Sequence, residues 1–168
     1  PKINILDKHT ADLIAAGEVV ERPASAVKEL VENSIDAGAT SVTVEIQNGG
    51  ISYIRITDNG CGISREDVKT AFLPHATSKI KQKDDLNSIL TLGFRGEALA
   101  SIAAVSRVDI LTRTADETFG TRYSLEGGEQ KVFDDAGCPV GTTIVVKDLF
   151  FNTPARMKFL KKNVSEGN

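Results

Sequence analysis

The sequence contains few residues of the kinds that build covalent or metal-held frameworks. Its two cysteines, Cys61 and Cys138, lie far apart and lack metal-ligand spacing. This pattern is not that of a disulfide scaffold or a cysteine-based zinc site, and it indicates reduced thiols in a reducing compartment. The chain also lacks an apolar run that approaches the roughly 20 residues of a membrane-spanning helix. We therefore expect a soluble, intracellular, globular protein with no membrane partner.

Other absences narrow the function. The net charge of −3 and the isoelectric point near 5.5 provide no general attraction to nucleic acid, so DNA binding would need a local basic patch. The phosphate-binding pattern GxxxxGKS/T does not occur, which excludes a Walker-type loop. With 168 residues, 40% of them apolar, and no internal repeat, the chain is expected to form one domain, residues 1–168.

The stretch SAVKELVENSIDAG, residues 25–38, predicts a helix. Ser25 is a suitable N-cap, and Gly38 is typical of a helix C-terminus. One face is apolar and is expected to pack on the core. Its members are Val27, Leu30 and Val31, with Ala37 at the edge.

The opposite face of this helix carries an amide between carboxylates. Glu29, Asn33 and Asp36 recur at helical spacing, with Glu32 at their flank, and no Lys or Arg is expected as an ion-pair partner there. A solvated surface is the ordinary interpretation of such a face. The alternative is metal-assisted hydrolysis, in which a carboxylate orients water and the Asn oxygen binds Mg²⁺.

A pair of strands is predicted next. SVTVEI (41–46) and ISYIRITD (51–58) alternate with a period of two around an Asn-Gly turn. Asp58 has the parity of Ile54 and Ile56, so we expect it to point inward. Such an Asp either caps the following turn or accepts a hydrogen bond from an exocyclic amino group such as that of adenine.

Glycines follow this carboxylate directly. In the sequence DNGCGI, Gly60 and Gly62 would let the backbone approach a flat ligand closely. Ser64 is then the N-cap predicted for a further helix. The position of the two glycines after an inward Asp favours a ligand site over a simple turn.

Two later stretches are suited to phosphate. Residues 73–85 form a polar connector typical of a mobile lid, and it contains a small cluster of donors, Thr77, Ser78 and Lys79. In TLGFRGEALAS, residues 91–101, glycines lead into a helix start, where free N–H groups and the helix dipole favour anions. Arg95 in this stretch either contacts phosphate or forms a salt bridge that fixes the loop.

The remainder is predicted to be mostly scaffold. Strands are expected at 107–113, at 120–125 and 130–133 as a hairpin, and at 142–147, with a basic helix from residue 150 onward.

Together these motifs resemble the MutL family of DNA mismatch-repair ATPases. The similarity rests on the order and spacing of ELVENSIDAGA, DNGCGI, HATSK, GFRGEALAS, GTT and LFFNTPARMKFL, and it covers nearly the whole chain. HATSK and FNTPAR resemble bacterial members, which implies a bacterial, cytoplasmic protein. The wider resemblance is to the GHKL (Bergerat-type) ATPases, and it implies an α/β fold. That fold is a two-layer sandwich whose mixed, mostly antiparallel sheet is covered by helices on one face.

The resemblance also implies roles for single residues. Glu29 would be the catalytic base, Asn33 the Mg²⁺ ligand with Asp36 in support, and Asp58 the acceptor for the adenine amino group. Gly62 and Thr143 would complete the base site. The lid and phosphate residues would be Thr77, Ser78, Lys79, Gly93, Phe94, Arg95, Gly96, Glu97, Ala98 and Leu99.

The implied function is that of an ATPase that depends on Mg²⁺ and acts as a molecular switch, coupling mismatch recognition to strand processing. ATP would pair two copies of the full-length protein. A mismatch-recognition protein and a downstream nuclease or helicase would be partners, and DNA would bind largely outside this chain. Family ATPase regions continue into a second domain that delivers a Lys to the γ-phosphate, so we expect a fragment with weak hydrolysis.

Two alternatives stay open. The first is another GHKL domain, of the histidine kinase or topoisomerase type. The second is a DNA-binding module with a vestigial nucleotide site.

Overall fold

The computed structural model describes residues 22–73 and 98–153. The predicted N-terminal arm, most of the predicted lid and most of the predicted basic C-terminal helix lie outside these residues, and residues 150–153, where that helix was expected to begin, form turns. The described part contains the predicted central helix and every predicted strand.

Six strands form one sheet in the order β1-β2-β6-β3-β4-β5. The strands are β1 (Val42–Gln47), β2 (Tyr53–Asp58), β3 (Arg107–Arg113), β4 (Gly120–Glu126), β5 (Glu129–Ala136) and β6 (Gly141–Lys147). The sheet was expected to be mixed and mostly antiparallel, and every ladder among the described strands is antiparallel. Because β6 inserts between β2 and β3, the last strand joins the two halves of the chain.

Helices cover the inner face of this sheet. They are α1 (Pro23–Asp36), α2 (Arg65–Ala71) and the helical residues 98–104, here called α3. Their apolar residues share one core with the alternate strand residues, for example Ile54, Ile110 and Val146. This is the α/β sandwich predicted from the sequence. Within the described ranges, no helix is long and apolar enough to cross a membrane.

Helix α1 begins earlier than its sequence predicts. Arg22 is the extended N-cap, without a side-chain cap, and Pro23 occupies the first helical position, so Ser25 is not the N-cap. The physical reason is that proline has a preset φ and lacks the amide hydrogen that this position leaves unpaired. The predicted stop is confirmed, since Gly38 has a φ of 78° just beyond the helix.

The buried stripe of α1 is rotated slightly from the predicted one. Its fully buried members are Pro23, Ala26, Leu30 and Ser34, while Val27 and Val31 are only partly buried. The stripe therefore ends in a hydroxyl rather than in an aliphatic side chain. Burying Leu30 alone stabilises the fold by about 1.5–3 kcal/mol.

The exposed side of α1 does contain an ion pair. Lys28 lies 3.9 Å from Glu32 one turn later, which corrects the expectation that this face lacks a basic partner. Both side chains are well exposed, so the pair contributes at most about 0.5 kcal/mol.

Strand β1 lies at the edge of the sheet. Val44 and Ile46 alternate as predicted, yet they are 39% and 48% exposed. The core is therefore centred on the strands further inside the sheet.

Candidate functional site

The predicted polar residues of helix α1 differ in their burial. Asp36 is exposed at the helix end, and Glu29 is partly buried. Asn33 differs from both, because its side-chain nitrogen and oxygen are each buried and neither has a hydrogen-bond partner among residues 22–73 and 98–153. An unpaired buried amide of this kind costs about 1–3 kcal/mol, so Asn33 is the polar group of this helix that most needs a ligand.

The carboxylate of Asp58 points inward, as predicted by its parity, and is fixed on two sides. The Ser34 hydroxyl donates to Asp58 Oδ2 at 2.6 Å, and the Gly60 amide donates to Oδ1 at 2.9 Å. The hydrogen bond from the Gly60 amide is the turn-capping role expected as one alternative for Asp58. Because Oδ2 and the remaining lone pairs are not used in it, capping is compatible with binding an amino group. A carboxylate accepts about four hydrogen bonds, and two further positions stay available for a ligand.

The loop after Asp58 runs close to two other backbone segments. A Cβ on Gly60 would lie 2.8 Å from the Cβ of Ala37, and the Cys61 amide donates to the Ala37 carbonyl at 2.9 Å. Gly62 has a φ of 75°, and a Cβ there would lie 2.0 Å from the Arg113 carbonyl oxygen. No other residue type fits this second position without moving the backbone, so the described chain requires glycine here for its packing on Arg113, whereas the predicted close approach of a flat ligand stays a prediction.

One cross-strand row gives the inner face of the sheet a polar end. Paired residues of all six strands make up this polar row, which comprises Val42, Asp58, Thr142, Thr112, Thr121 and Asp135. The next row inward is apolar and comprises Val44, Ile56, Ile144, Ile110, Tyr123 and Phe133. From the apolar row to the adjacent polar row, the side chains of the inner face therefore change from hydrophobic to hydrogen-bonding.

The register places Thr142, rather than Thr143, beside Asp58. Thr142 pairs directly with Asp58 across the β2–β6 ladder, whereas Thr143 pairs with Thr57. Successive side chains point to opposite faces of a strand, so Thr143 faces away from the polar row. This placement favours Thr142 over the predicted Thr143 as the threonine of the base site.

Helix α2 is anchored from a neighbouring loop. Ser64 is the N-cap as predicted, but its side chain makes no capping hydrogen bond. Instead the Glu117 carboxylate accepts from the Arg65 amide at 3.0 Å and from the Thr114 amide at 3.1 Å. These bonds, that of Arg65 first, lower the pKa of Glu117. The anchor fixes the start of α2 and with it the chain just after Gly62.

Most of the predicted phosphate residues lie outside the described part of the chain. They are Thr77, Ser78, Lys79, Gly93, Phe94, Arg95, Gly96 and Glu97. Ala98 and Leu99 are described, and their side chains are buried at the start of α3. Any contact that these two residues make with phosphate would therefore come from the backbone.

Within the described ranges, no three carboxylate, imidazole or thiol side chains come together as a metal site. Magnesium that arrives with a nucleotide takes only one or two protein ligands, and the phosphates and water supply the rest. The unpaired oxygen of Asn33 fits that requirement.

Sequence reasoning missed Ser34 and Thr112 as members of this site. A signal for Ser34 was present, because a serine continues the apolar stripe of α1 where an aliphatic residue is expected. For Thr112 no comparable signal existed, since threonine is common in strands for its β propensity alone.

The fold and these motifs match known proteins. The profile of the histidine kinase-, DNA gyrase B- and HSP90-like ATPases matches residues 21–135. The DNA mismatch repair protein MutL of Agathobacter rectalis is 61% identical over 168 residues, which is 100% of this chain and 26% of that protein. MutL of Desulforamulus reducens is 65% identical over 159 residues, or 95% of this chain and 25% of that protein.

Solved structures agree with these relatives. The Aquifex aeolicus MutL ATPase domain complexed with ADP has a TM-score of 0.66 and 38% identity, covering 88% of this chain and 52% of that one. The N-terminal domain of a DNA repair protein has a TM-score of 0.79 and 32% identity, covering 97% and 47%. The chain spans about a quarter of the length of the curated relatives named here.

Proposed function

We propose a mechanism that starts from the family of this chain, which is that of the histidine kinase-, DNA gyrase B- and HSP90-like ATPases. The chain matches MutL proteins over nearly its whole length. We propose that it binds ATP with Mg²⁺ at the polar end of the sheet and hydrolyses it as a switch in DNA mismatch repair. The observation that carries the proposal is the Asp58 carboxylate, which the fold fixes on two sides with acceptor capacity left over.

Adenine recognition is assigned to Asp58, Thr142 and the Gly60–Gly62 loop. The exocyclic amino group of adenine would donate to Asp58, and the loop that packs on the Arg113 carbonyl at Gly62 would line the base. Guanine presents a carbonyl oxygen at the same position, which would face the carboxylate without a proton between them. Leaving a buried acceptor unpaired costs roughly 1–3 kcal/mol, so ATP should bind at least about tenfold more tightly than GTP.

Hydrolysis is assigned to the polar face of α1. Asn33 would hold Mg²⁺ through its amide oxygen, and Glu29, one turn earlier, would orient and deprotonate the attacking water, with Asp36 in support. Bound Mg²⁺ neutralises negative charge on the phosphate oxygens. Because the Asn33 amide is already buried and unpaired, it is ready to accept a ligand without first breaking a protein contact.

Phosphate binding and assembly complete the proposal. The glycine-rich stretch 93–99 and the donors Thr77, Ser78 and Lys79 would enclose the phosphates. In the whole protein, ATP would pair two such regions and recruit a mismatch-recognition protein and a nuclease or helicase. DNA would bind largely outside this chain.

The proposal is tested by titrating ATP and GTP into the chain with and without Mg²⁺ and measuring both affinities by calorimetry. We expect ATP to bind at least tenfold more tightly than GTP and to lose affinity when Mg²⁺ is removed. Asp58→Ala should bring the ATP-to-GTP ratio close to one.

Asp109→Ala is the matched control, because Asp109 lies on the outer face of the sheet, where it accepts hydrogen bonds from Arg122 and Ser124. This variant should retain the full ATP-to-GTP ratio. Equal affinity for ATP and GTP in the unsubstituted chain would refute the assignment of Asp58.

A further inference from the structure

Thr112 lies at the centre of the polar row, and the adenine site proposed above gives it no role. It ends the inner face of β3, and its side chain is fully buried. The β3–β6 ladder pairs it with Thr142, and the β3–β4 ladder pairs it with Thr121. Its hydroxyl therefore lies between the loop after Gly62 and the start of β6.

The hydroxyl of Thr112 has three hydrogen-bond partners. It accepts from the Ile63 amide at 2.8 Å, it donates to the Gly141 carbonyl at 3.1 Å, and it lies 2.9 Å from the Thr142 hydroxyl. A hydroxyl has one proton to donate and two lone pairs that accept. Either hydroxyl could be the donor of the Thr112–Thr142 contact by its distance, and all three contacts of Thr112 are satisfied together only when Thr112 donates to Gly141 and Thr142 donates to Thr112.

This arrangement fixes two parts of the adenine site at once. The bond from Ile63 holds the loop that contains Gly62 against the end of β3, where a Cβ on Gly62 would meet the Arg113 carbonyl. In the arrangement that satisfies all three contacts, Thr142 donates its only proton to Thr112 and presents lone pairs alone to its surroundings. Next to the Asp58 carboxylate, Thr142 then forms a second acceptor.

Thr121 shows that a buried threonine in this row does not need such bonds. It is paired with Thr112 on the neighbouring strand and is equally buried, yet in the described part of the chain its hydroxyl has no hydrogen-bond partner. The three partners of Thr112 are therefore a feature of its position next to the loop and β6, and Thr121 serves as a matched control.

We propose that Thr112 is a positioning residue for the base site: its hydroxyl fixes the Gly62 loop and leaves Thr142 as a hydrogen-bond acceptor, so that the site prefers a purine with an amino group at C6, as in adenine, over one with a carbonyl there, as in guanine. The inference rests on the proposed function, because it assumes that the base lies against Asp58.

The test compares Thr112→Val, Thr112→Ser, Thr112→Cys and Thr121→Val by calorimetric titration with ADP and GDP, beside urea unfolding. Valine matches the shape of threonine and removes all three hydrogen bonds, so Thr112→Val should weaken ADP binding by about tenfold and reduce the ADP-to-GDP ratio. Thr112→Ser should restore both to within about twofold. Thr121→Val should leave both unchanged.

The order of the variants separates positioning from packing. If the hydrogen bonds of residue 112 matter, ADP affinity follows the hydrogen-bonding strength of its side chain, so the serine variant binds ADP most tightly, the cysteine variant less tightly and the valine variant least tightly. If only packing matters, valine stays closest to threonine and serine loses most, and that order would overturn the proposal. The comparison of serine with cysteine decides the question even if Thr112→Val does not fold.

Asp58→Ala separates this inference from the proposed function. A loss of ADP binding in Asp58→Ala, together with full ADP affinity in Thr112→Val, refutes the role of Thr112 alone. Unchanged ADP affinity in Asp58→Ala overturns the proposed base site, and the role of Thr112 fails with it.

Discussion

Asp58 and Asn33 are the two polar side chains assigned to the nucleotide, and the protein treats them in opposite ways. Both oxygens of Asp58 accept hydrogen bonds from Ser34 and Gly60. Both polar atoms of Asn33 are buried without any partner. The base side of the site is therefore organised before a ligand arrives, whereas the metal side leaves a polar group unpaired, at a cost of about 1–3 kcal/mol.

The two arrangements arise from a single turn of α1. Asn33 and Ser34 are neighbours in sequence, and successive residues of a helix project about 100° apart. Ser34 therefore reaches the sheet and Asp58, while Asn33 lies beside the polar face that carries Glu29. This turn links the strand that would hold the base to the side chains that would act on the phosphates.

The largest expected effect follows from Glu29→Ala, which removes the proposed catalytic base one turn before Asn33. The attacking water loses its base, so the rate of hydrolysis should fall by about 10²–10⁴-fold, while ATP still binds with nearly unchanged affinity. Hydrolysis is measured under single-turnover conditions, which detect slow reactions, and affinity by titration.

Glu32→Ala is the control for this substitution. It removes the same charge one turn along, where Glu32 pairs with Lys28 at 3.9 Å. This variant should hydrolyse ATP at the normal rate. If Glu29→Ala hydrolyses ATP as fast as Glu32→Ala, the catalytic role of Glu29 has to be abandoned.

An intermediate effect, on the preference for ATP over GTP, is expected from substituting the adjacent threonines of β6 near the proposed adenine site. Thr142→Val removes the hydroxyl beside Asp58 and should reduce the ATP-to-GTP affinity ratio by about fivefold to tenfold. Thr143→Val makes the same change on the outer face and should leave the ratio within about twofold of the unsubstituted chain. A larger effect of Thr143→Val, measured in the same titration, would show that the proposed orientation of β6 toward the base is wrong.

These threonines also show what the sequence could predict and what it could not. Parity within one strand is a local property, so the inward direction of Asp58 followed from Ile54 and Ile56 and is confirmed. The choice between Thr142 and Thr143 depends on the register between β2 and β6, which lie far apart in the chain. Nothing local specifies that register, because threonine favours strands on either face.

The helix gives a similar lesson. Its existence and its polar face followed from the period of its residues, whereas its first residue did not, since both Pro23 and Ser25 are good start signals. The pairing of Ser34 with Asp58 was also beyond prediction, because it depends on how closely α1 packs on the end of β2. The fold class could thus be predicted from local pattern and resemblance, while the contacts within the site needed the three-dimensional packing.

The smallest expected effect is a change in the free energy of unfolding measured without nucleotide. It tests the contrast between Asp58 and Asn33 most directly, because no ligand contributes to it. Asn33→Ala removes two unpaired buried atoms and adds a better helix former, so the free energy of unfolding should rise by about 1 kcal/mol. Ser34→Ala instead removes a hydrogen bond to a carboxylate, and the free energy of unfolding should fall by about 1 kcal/mol. Both values come from urea unfolding, in which equal slopes show that the compactness of the two states is unchanged.

Magnesium supplies the second half of this test. Asn33→Ala should lose the gain in ATP affinity that Mg²⁺ provides, so that the same substitution strengthens the fold and weakens the site. Ser34→Ala should keep the response to Mg²⁺, because its hydroxyl supports the base side only. If Asn33→Ala is less stable than the unsubstituted chain and still responds to Mg²⁺, then the amide is an ordinary structural group. The unpaired atoms of Asn33 would in that case not be the place where the metal binds.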